Sequence, residues 1–515
     1  MNGKPIGPIR RPAQSTCNAG KMRRREFIGR LGLAAAALRA PAWIRPVQAA
    51  SEQHPNILVI ISDEHDPAVT GCYGDPIIHT PNLDRLSAGG VVFENCYTNS
   101  PLCVPSRLSF LAGRYCSRVG AWNNSCWLPS DEYPTLPRIL NAAGYESYLG
   151  GKMHLDKTRR YGFQELYPAS TNASKKTGRG GRRTPTDESV NADSWAQRSA
   201  DFRIGDRSNV MDHDRQVTRF CTEFLTNRKA GEGPFFLLAG YLAPHFPLIV
   251  PQNCYDPYKD RIAMPPMPEG YLDALPLNYK HLRRGFGVTE ATPEQIKMGR
   301  ECYWALTHWF DTEVGILLSA LERSAVSETT MVVYTSDHGE NKGDHGLWWK
   351  NCMFEPAAHI PLIIRWPTRW PEGARRSSVC SMVDVAQTIL QAAGAEAPEN
   401  WNGRSLIPTL DDPAAPCPDF AISEYYAHNI ASGFTLLRKA SYKYVYHSRM
   451  DEKYGPEREL YDLQTDPREL TSLAGRPEYK AKIEGMHNAM VKEIGRDPDE
   501  TELICRADYA QGYSR

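Results

Sequence analysis

The sequence predicts an α/β fold, with a mostly parallel central sheet, helices on both of its faces and a smaller C-terminal α+β subdomain. Three observations carry this expectation. Continuous apolar runs of strand length recur at 56–62 (NILVIIS), 235–241 and 329–336, the pattern of strands covered on both sides. Helical segments alternate with strand-like runs, the longest over 293–322. Each apolar run opens into a polar cluster, Asp63-Glu64-His65, Ala243-Pro244-His245 or Asp337-His338-Gly339-Glu340. In an open parallel sheet ligands bind beyond the carboxyl ends of the strands, so these clusters mark the functional edge.

The elements follow in order. After the strand at 56–62, a helix starts with Thr80 as cap and Pro81 as first residue and runs to Gly89. A strand at 91–97 feeds a turn at Cys103. Pro105 suits the first turn of a helix, where its missing N–H is not needed, and 106–112 continue it until Gly113. Cys103 thereby falls at a helix N-terminus, where free backbone N–H groups suit an anion. Arg107, one turn on, adds a charge that can fork onto oxyanion oxygens.

A helix at 135–143 stops at Gly144, and a strand at 145–149 leads to Gly151-Lys152-Met153-His154. The run at 235–241 opens into Pro244-His245-Phe246-Pro247. Beyond the strand at 329–336 come a strand at 360–365 and a helix at 383–392. The proline-rich stretch 396–418 reads as a linker. Short strands at 434–437 and 442–446 and a helix at 478–494 make the second unit. The expected division is a signal region at 1–50, a catalytic domain at 51–395, the linker at 396–418 and a C-terminal subdomain at 419–515.

With 515 residues, 41% of them hydrophobic, the chain can bury a sizeable core. Its formal charge of zero conceals an asymmetry: the first fifty residues hold ten Lys or Arg and one acid, leaving 50 basic and 59 acidic residues after them. A mature net charge of −9 argues against nucleic acid as a partner. Within that acidic body, Lys175, Lys176, Arg179, Arg182 and Arg183 sit among glycines at 174–184, a solvated loop that could hold a polyanion near the site. Thirteen cysteines show no C-x-x-C pair or zinc-type spacing. Without Cys17 and Cys103 eleven remain, so at least one thiol stays unpaired.

In the head of the chain, Arg24, Arg25, Glu26, Phe27 and Ile28 form R-R-x-F-I, followed by an apolar stretch at 31–38 and a small-residue site near Ala49. This resembles a twin-arginine signal, which implies the twin-arginine translocon as a partner and an exported, periplasmic or extracellular protein. The apolar stretch is too short to span a membrane. Met22 directly precedes the arginines, so initiation is expected there.

Cys103, Pro105, Ser106 and Arg107 spell C-x-P-S-R, and Leu111, Gly113 and Arg114 follow as L-x-G-R. The pairing resembles the signature of the type I sulfatases. That resemblance implies an alkaline phosphatase-like fold and a Cys103 oxidised by a formylglycine-generating enzyme to formylglycine, whose hydrate attacks sulfur. At the ends of two buried-type strands, Asp63, Glu64, Asp337 and His338 can form a hard, mostly oxygen site for Ca²⁺, with Mg²⁺ or Mn²⁺ as alternatives. One oxygen of modified Cys103 would complete it.

By the same resemblance, Lys152 and His154 grip the sulfate and the formylglycine hydroxyls, with His154 as base, while His245 and Lys350 stand on the leaving-group side. Many sulfatases read Asp-Asp and Asp-Asn where this chain has Asp63-Glu64 and Asp337-His338. The Asp-His pair, the Ser100-Pro101-Leu102 lead and Gly151-Lys152-Met153-His154 look most like the choline-sulfatase branch, which shades into phosphonate monoester hydrolases. Asn402-Gly403-Arg404-Ser405-Leu406 and Glu459-Leu460-Tyr461-Asp462-Leu463 are similar to further landmarks. The expected function is hydrolysis of a small sulfated ester or sulfated glycan. A phosphonate monoester or phosphodiester hydrolase, or a non-catalytic sulfoglycan-binding protein, are the alternatives.

Overall fold

Every residue of strand β1 (Asn56–Asp63) is buried, because it lies inside an eight-stranded sheet covered on both faces. The computed structural model describes residues 54–156, 158–168, 190–367, 369–417 and 419–511. The expected signal region, Met22 and the basic stretch 174–184, expected as a loop, lie outside the described residues. The other strands of the sheet are β2 (Val91–Tyr97), β3 (Glu146–Gly151), β4 (Gln164–Tyr167), β6 (Phe235–Pro244), β8 (Thr330–Ser336), β9 (His359–Arg365) and β10 (Ala374–Ser381). A short pair, β5 (Arg203–Ile204) with β7 (Ile249–Val250), stands apart.

The strand order is β10-β2-β9-β8-β1-β6-β3-β4. β1 pairs in parallel with β6 and β8, and β3 in parallel with β6. β9 runs antiparallel to both β8 and β2, which makes β2 point the same way as β8. The carboxyl ends of β1, β2, β3, β6 and β8 therefore emerge on one edge, and the loops after them meet there.

Strand periodicity divides the core in two. Leu58, Ile60, Leu237, Ala239, Val332 and Tyr334 face a layer that includes Phe310 and Leu317 of the 30-residue helix Pro293–Glu322. Ile57, Val59, Ile61, Phe236, Leu238, Met331 and Val333 face the other, built from the helices Cys103–Ala112 and Met382–Ala392. A one-residue slip of β1 would exchange its two faces, and with both apolar it is the polar residues at its end that select the register.

The C-terminal sheet is antiparallel, in the order β11 (Phe420–Tyr425), β12 (Phe434–Lys439), β13 (Tyr442–His447) and β14 (Glu457–Asp462). The helix Lys480–Ile494 packs on it through Ile483, Met486 and Met490. Within 396–418 lie a short helix, Ile407–Asp411, and the buried side chains Trp401, Leu406 and Leu410, which join the core beneath the Cys103 helix. All twelve described cysteines are free thiols. No helix among the described residues is long and apolar enough to cross a membrane.

Candidate active site

Cys103 opens the helix Cys103–Ala112, with Leu102 extended before it and Gly113 closing it in the left-handed region. The N-terminus is less free than the sequence implies, since Val104 N donates to Asn124 Oδ1 at 3.1 Å. Ser106 explains its place in the motif: its hydroxyl donates to Asp337 O at 2.7 Å and accepts from Thr98 at 3.0 Å. The helix start is thereby tied to the end of β8.

Arg107 makes contacts to protein that the sequence reading did not foresee. It is fully buried, with Nε on Asp337 Oδ2 at 2.8 Å and Nη1 on Lys152 O at 2.7 Å, while Nη2, which has no hydrogen-bond partner, lies 3.5 Å from Asp63 Oδ2. It ties three strand ends together, a contact beyond the fork onto sulfate oxygens expected from the sequence. The physical reason is that two carboxylates this deeply buried need a cation.

Around that anchor the other expected residues converge. Cys103 Sγ lies 3.2 Å from His338 Nε2 and 3.8 Å from Asp63 Oδ1. His338 Nε2 is 3.6 Å from both Asp63 Oδ1 and Asp337 Oδ1. Nδ1 of His338 meets Gly339 O at 3.1 Å and donates to it, which leaves the Nε2 lone pair turned to the carboxylates. Lys152 Nζ pairs with Asp63, and Lys350 Nζ lies 3.0 Å from Glu64 Oε1.

The backbone of β6 positions the next group. Gly240 lets β3 and β6 approach, because a Cβ there would lie 2.1 Å from Lys152 O, and Lys152 N donates to Gly240 O at 2.7 Å. Buried Asp214 accepts from Leu242 N and Ala243 N at 2.7 and 2.8 Å, fixing the turn that carries His245. His245 Nδ1 meets Phe246 O at 2.6 Å, which directs Nε2 to Glu64 Oε2 at 3.3 Å. Glu64, His154, Trp349 and Asn351 all have left-handed φ, 68°, 52°, 65° and 81°. Strained conformations of this kind cost about 1–3 kcal/mol each and gather where the surroundings enforce a function.

Cys103, Lys152, His154, His245 and Lys350 line one cavity of about 460 Å³, with Asn124, Arg198, Phe246, Phe286, Trp349, Asn351 and His428 completing much of its wall. A family model described as Sulfatase matches residues 55–395, and one described as N-sulphoglucosamine sulphohydrolase, C-terminal, matches 343–496. The chain belongs to the sulfatase family.

The sulfatase is 30% identical over 450 residues to a choline-sulfatase of Rhizobium meliloti, covering 82% of this chain and 83% of the relative. It is 26% identical over 541 aligned residues to an N-acetylglucosamine-6-O-sulfatase of Bacteroides thetaiotaomicron, with 91% and 92% covered. Two solved structures share its fold. A phosphonate monoester hydrolase of Agrobacterium radiobacter superposes with a TM-score of 0.68 at 21% identity, over 88% of this chain and 96% of that one. A protein in complex with its substrate D-glucosamine-2-N,6-O-disulfate gives 0.67 at 24%, over 87% and 100%. The fold is thus the alkaline phosphatase-like sulfatase fold, and the activity is hydrolysis of sulfuric ester bonds. A silent sulfoglycan binder is set aside.

Sulfatases generally use a metal ion and formylglycine, and the residues here fit a cation. Ligand atoms of Asp63, Cys103, Asp337 and His338 lie within 4.8 Å of one another, as do those of Asp63, Glu64 and His245. Asp63 Oδ2 and both Glu64 oxygens are buried and meet only ion-pair partners, Lys152 and Arg107 at the first and Lys350 and His245 at the second. Burial pushes the Glu64 carboxyl well above its ordinary range, with Glu340 adding to it and Lys350 opposing. Burial, helped by Lys350 and against the pull of Asp337, takes His338 down to about 3, so its imidazole is neutral and able to ligate.

His154 also stays neutral, held well below its ordinary value by burial and by Lys152, Arg107 and Lys350. The Cys103 thiol is pushed up to about 12 by burial. All ten expected residues come together. Arg198, Asp214, Asn124 and His428 escaped the sequence reading. Only the Trp348-Trp349 pair beside Lys350 hinted at the aromatic wall.

Proposed function

We propose that this sulfatase removes sulfate from a hydroxyl of a sulfated sugar, using residue 103 as nucleophile after its oxidation to formylglycine by a formylglycine-generating enzyme. The observation that carries this reading is the seat of Cys103, at a helix start 3.2 Å from a neutral His338 and among buried carboxylates. As a thiol raised to about 12 it stays protonated at neutral pH and is a poor nucleophile. The hydrated aldehyde would supply the hydroxyl that attacks sulfur. A sugar is favoured as the leaving alcohol because relatives and fold neighbours include an N-acetylglucosamine-6-O-sulfatase and a complex with a glucosamine disulfate.

Asp63, Glu64, Asp337 and His338 would hold Ca²⁺, or Mg²⁺ or Mn²⁺ in its place, and a bound ion supplies positive charge against the sulfate oxygens. Arg107 keeps Asp63 and Asp337 in position. Lys152, in the cavity, faces the sulfate, and neutral His154 accepts the proton whose removal lets sulfate depart from residue 103. Lys350 and His245 stand where the alkoxide leaves, as the S–O bond to the sugar breaks and that oxygen gains a proton.

Mass spectrometry of the Cys103 peptide, from a host that modifies a control sulfatase, is expected to show formylglycine. Unmodified thiol alone would refute the proposal. A side-by-side assay of 4-nitrophenyl sulfate and 4-nitrophenyl phenylphosphonate separates sulfatase from phosphonate hydrolase, and a faster phosphonate reaction would reverse the assignment.

Export through the twin-arginine translocon to the periplasm or beyond also belongs to this proposal, supported by Arg24-Arg25 in a basic head with a short apolar stretch. Replacing both arginines by lysine should leave the enzyme in the cytoplasmic fraction, and unchanged export would count against the signal.

A further inference from the structure

The cavity wall carries a cation that the chemistry above leaves unused. Asn191 caps the helix Ala192–Ser199, its side chain accepting from Ser194 N at 3.3 Å. On that helix Trp195 is buried, donates from its indole to Gln295 Oε1 at 2.8 Å, and stands edge-on to Trp348 and Trp349 with ring centroids 5.5 and 5.9 Å away. Three residues on, and so on the same face, comes Arg198. Its guanidinium carbon lies 4.6 Å from the ring centre of Trp349, 4.9 Å from Phe246 and 5.8 Å from Phe286.

Among the described residues, no hydrogen bond or ion pair satisfies the Arg198 side chain. Stacking uses the faces of the guanidinium and leaves its in-plane N–H groups available, in the fork geometry that matches a carboxylate or sulfate. The residues lining the cavity include Lys152, His154, His245, Lys350 and His428, and no Asp or Glu. His428 lies edge-on to Phe286, at 5.7 Å. Glu64 and Glu340 act on this half-buried cation only beyond ion-pair distance and do not offset the cost of its burial, so an anionic ligand group bonded to it would lower that cost. The same stacking disfavours choline. A quaternary ammonium is recognised by free aromatic faces, and here those of Trp349, Phe246 and Phe286 already carry Arg198.

We propose that Arg198, supported by His428, is a subsite for an anionic substituent, carboxylate or sulfate, on the alcohol that leaves. The preferred substrate is then a sugar carrying a second negative charge besides the scissile sulfate. This rests on the reading of the cavity as the site of sugar-sulfate hydrolysis.

The test compares matched pairs on the formylglycine-bearing enzyme. D-glucosamine-2-N,6-O-disulfate against N-acetyl-D-glucosamine 6-sulfate probes a sulfate, and glucuronic acid 2-sulfate against glucose 2-sulfate probes a carboxylate. In at least one pair the anionic member is expected to have the higher kcat/KM, by roughly 10-fold or more, and Arg198→Met should erase most of that ratio, with Arg198→Lys keeping part of it. Preference for the neutral members or for choline sulfate, or a ratio unchanged in Arg198→Met, overturns the inference. If Arg198→Met does not fold, the wild-type ratios and Arg198→Lys still decide. Absence of turnover on all these esters and on 4-nitrophenyl sulfate would instead remove the underlying reading.

Discussion

Glu64 is met by Lys350 on one oxygen and His245 on the other, so both leaving-group candidates are anchored to the same buried carboxylate. Shielding or protonating the departing oxygen matters most when the alcohol is a poor leaving group. Lys350→Ala and His245→Ala are each expected to lower kcat/KM by roughly 10² or more on an alkyl sulfate, and distinctly less on 4-nitrophenyl sulfate. Arg107→Ala should depress both substrates about equally, because it removes the cation that holds Asp63 and Asp337 for either reaction. Equal losses on both esters for Lys350 and His245 variants would show that they hold the sulfate or the carboxylates. The role of Arg107 itself was half legible: C-x-P-S-R announces an essential cation, but whether it points at substrate or at protein depends on what burial surrounds it with.

The helix Cys103–Ala112 is coupled at its far end to a segment almost three hundred residues away. Gly113 has φ 61°, a Cβ on it would lie 2.0 Å from the Trp401 ring, and its carbonyl accepts from Asn402 N at 2.8 Å. The side chain of Asn402 accepts from Tyr115 N at 3.0 Å, and Arg404 N donates to Asp384 Oδ1 at 2.7 Å. The L-x-G-R and Asn402-Gly403-Arg404 motifs, separate landmarks in sequence, are thus two sides of one contact. Gly113→Ala is expected to destabilise through backbone strain plus overpacking, by about 2 kcal/mol or more. Gly144→Ala is the control, since its φ is 91° and nothing lies within 4 Å of a Cβ there, so only strain remains. Thermal melts showing equal losses for the two variants would refute the Trp401 contact as the cause.

At the scale of the whole molecule, the parallel strands deliver three buried carboxylates, Asp63, Glu64 and Asp337, and the neutral imidazole of His338 to one edge. Arg107, Lys152 and Lys350 are the cations that face them there. A divalent ion bound by the folded state alone stabilises it by about 2.7 kcal/mol at a hundred times Kd. Millimolar Ca²⁺ is therefore expected to raise Tm by roughly 2–5 °C and EDTA to reverse the change, in wild type and in Cys103→Ala alike. A Tm indifferent to Ca²⁺, Mg²⁺ and Mn²⁺ would mean that the lysines satisfy the carboxylates without an ion.

What could be read from the chain alone was whatever is local. The buried strands announced themselves as unbroken apolar runs, their polar ends marked the site, and helix bounds followed from Thr80, Pro105 and Gly113. Elements with mixed patterns escaped: β10 reads ARRSSVCS, and the helix Asn209–Asn227 is dense in charge, so neither periodicity stands out until packing assigns each its inward face. Tertiary structure alone decided that Arg107 faces protein carboxylates, that Asp214 pins the His245 turn, and that Arg198 stacks on Trp349 with no hydrogen bond or ion pair among the described residues. None of these is written in neighbouring residues, because each depends on which distant side chains the parallel sheet brings within hydrogen-bonding or stacking distance.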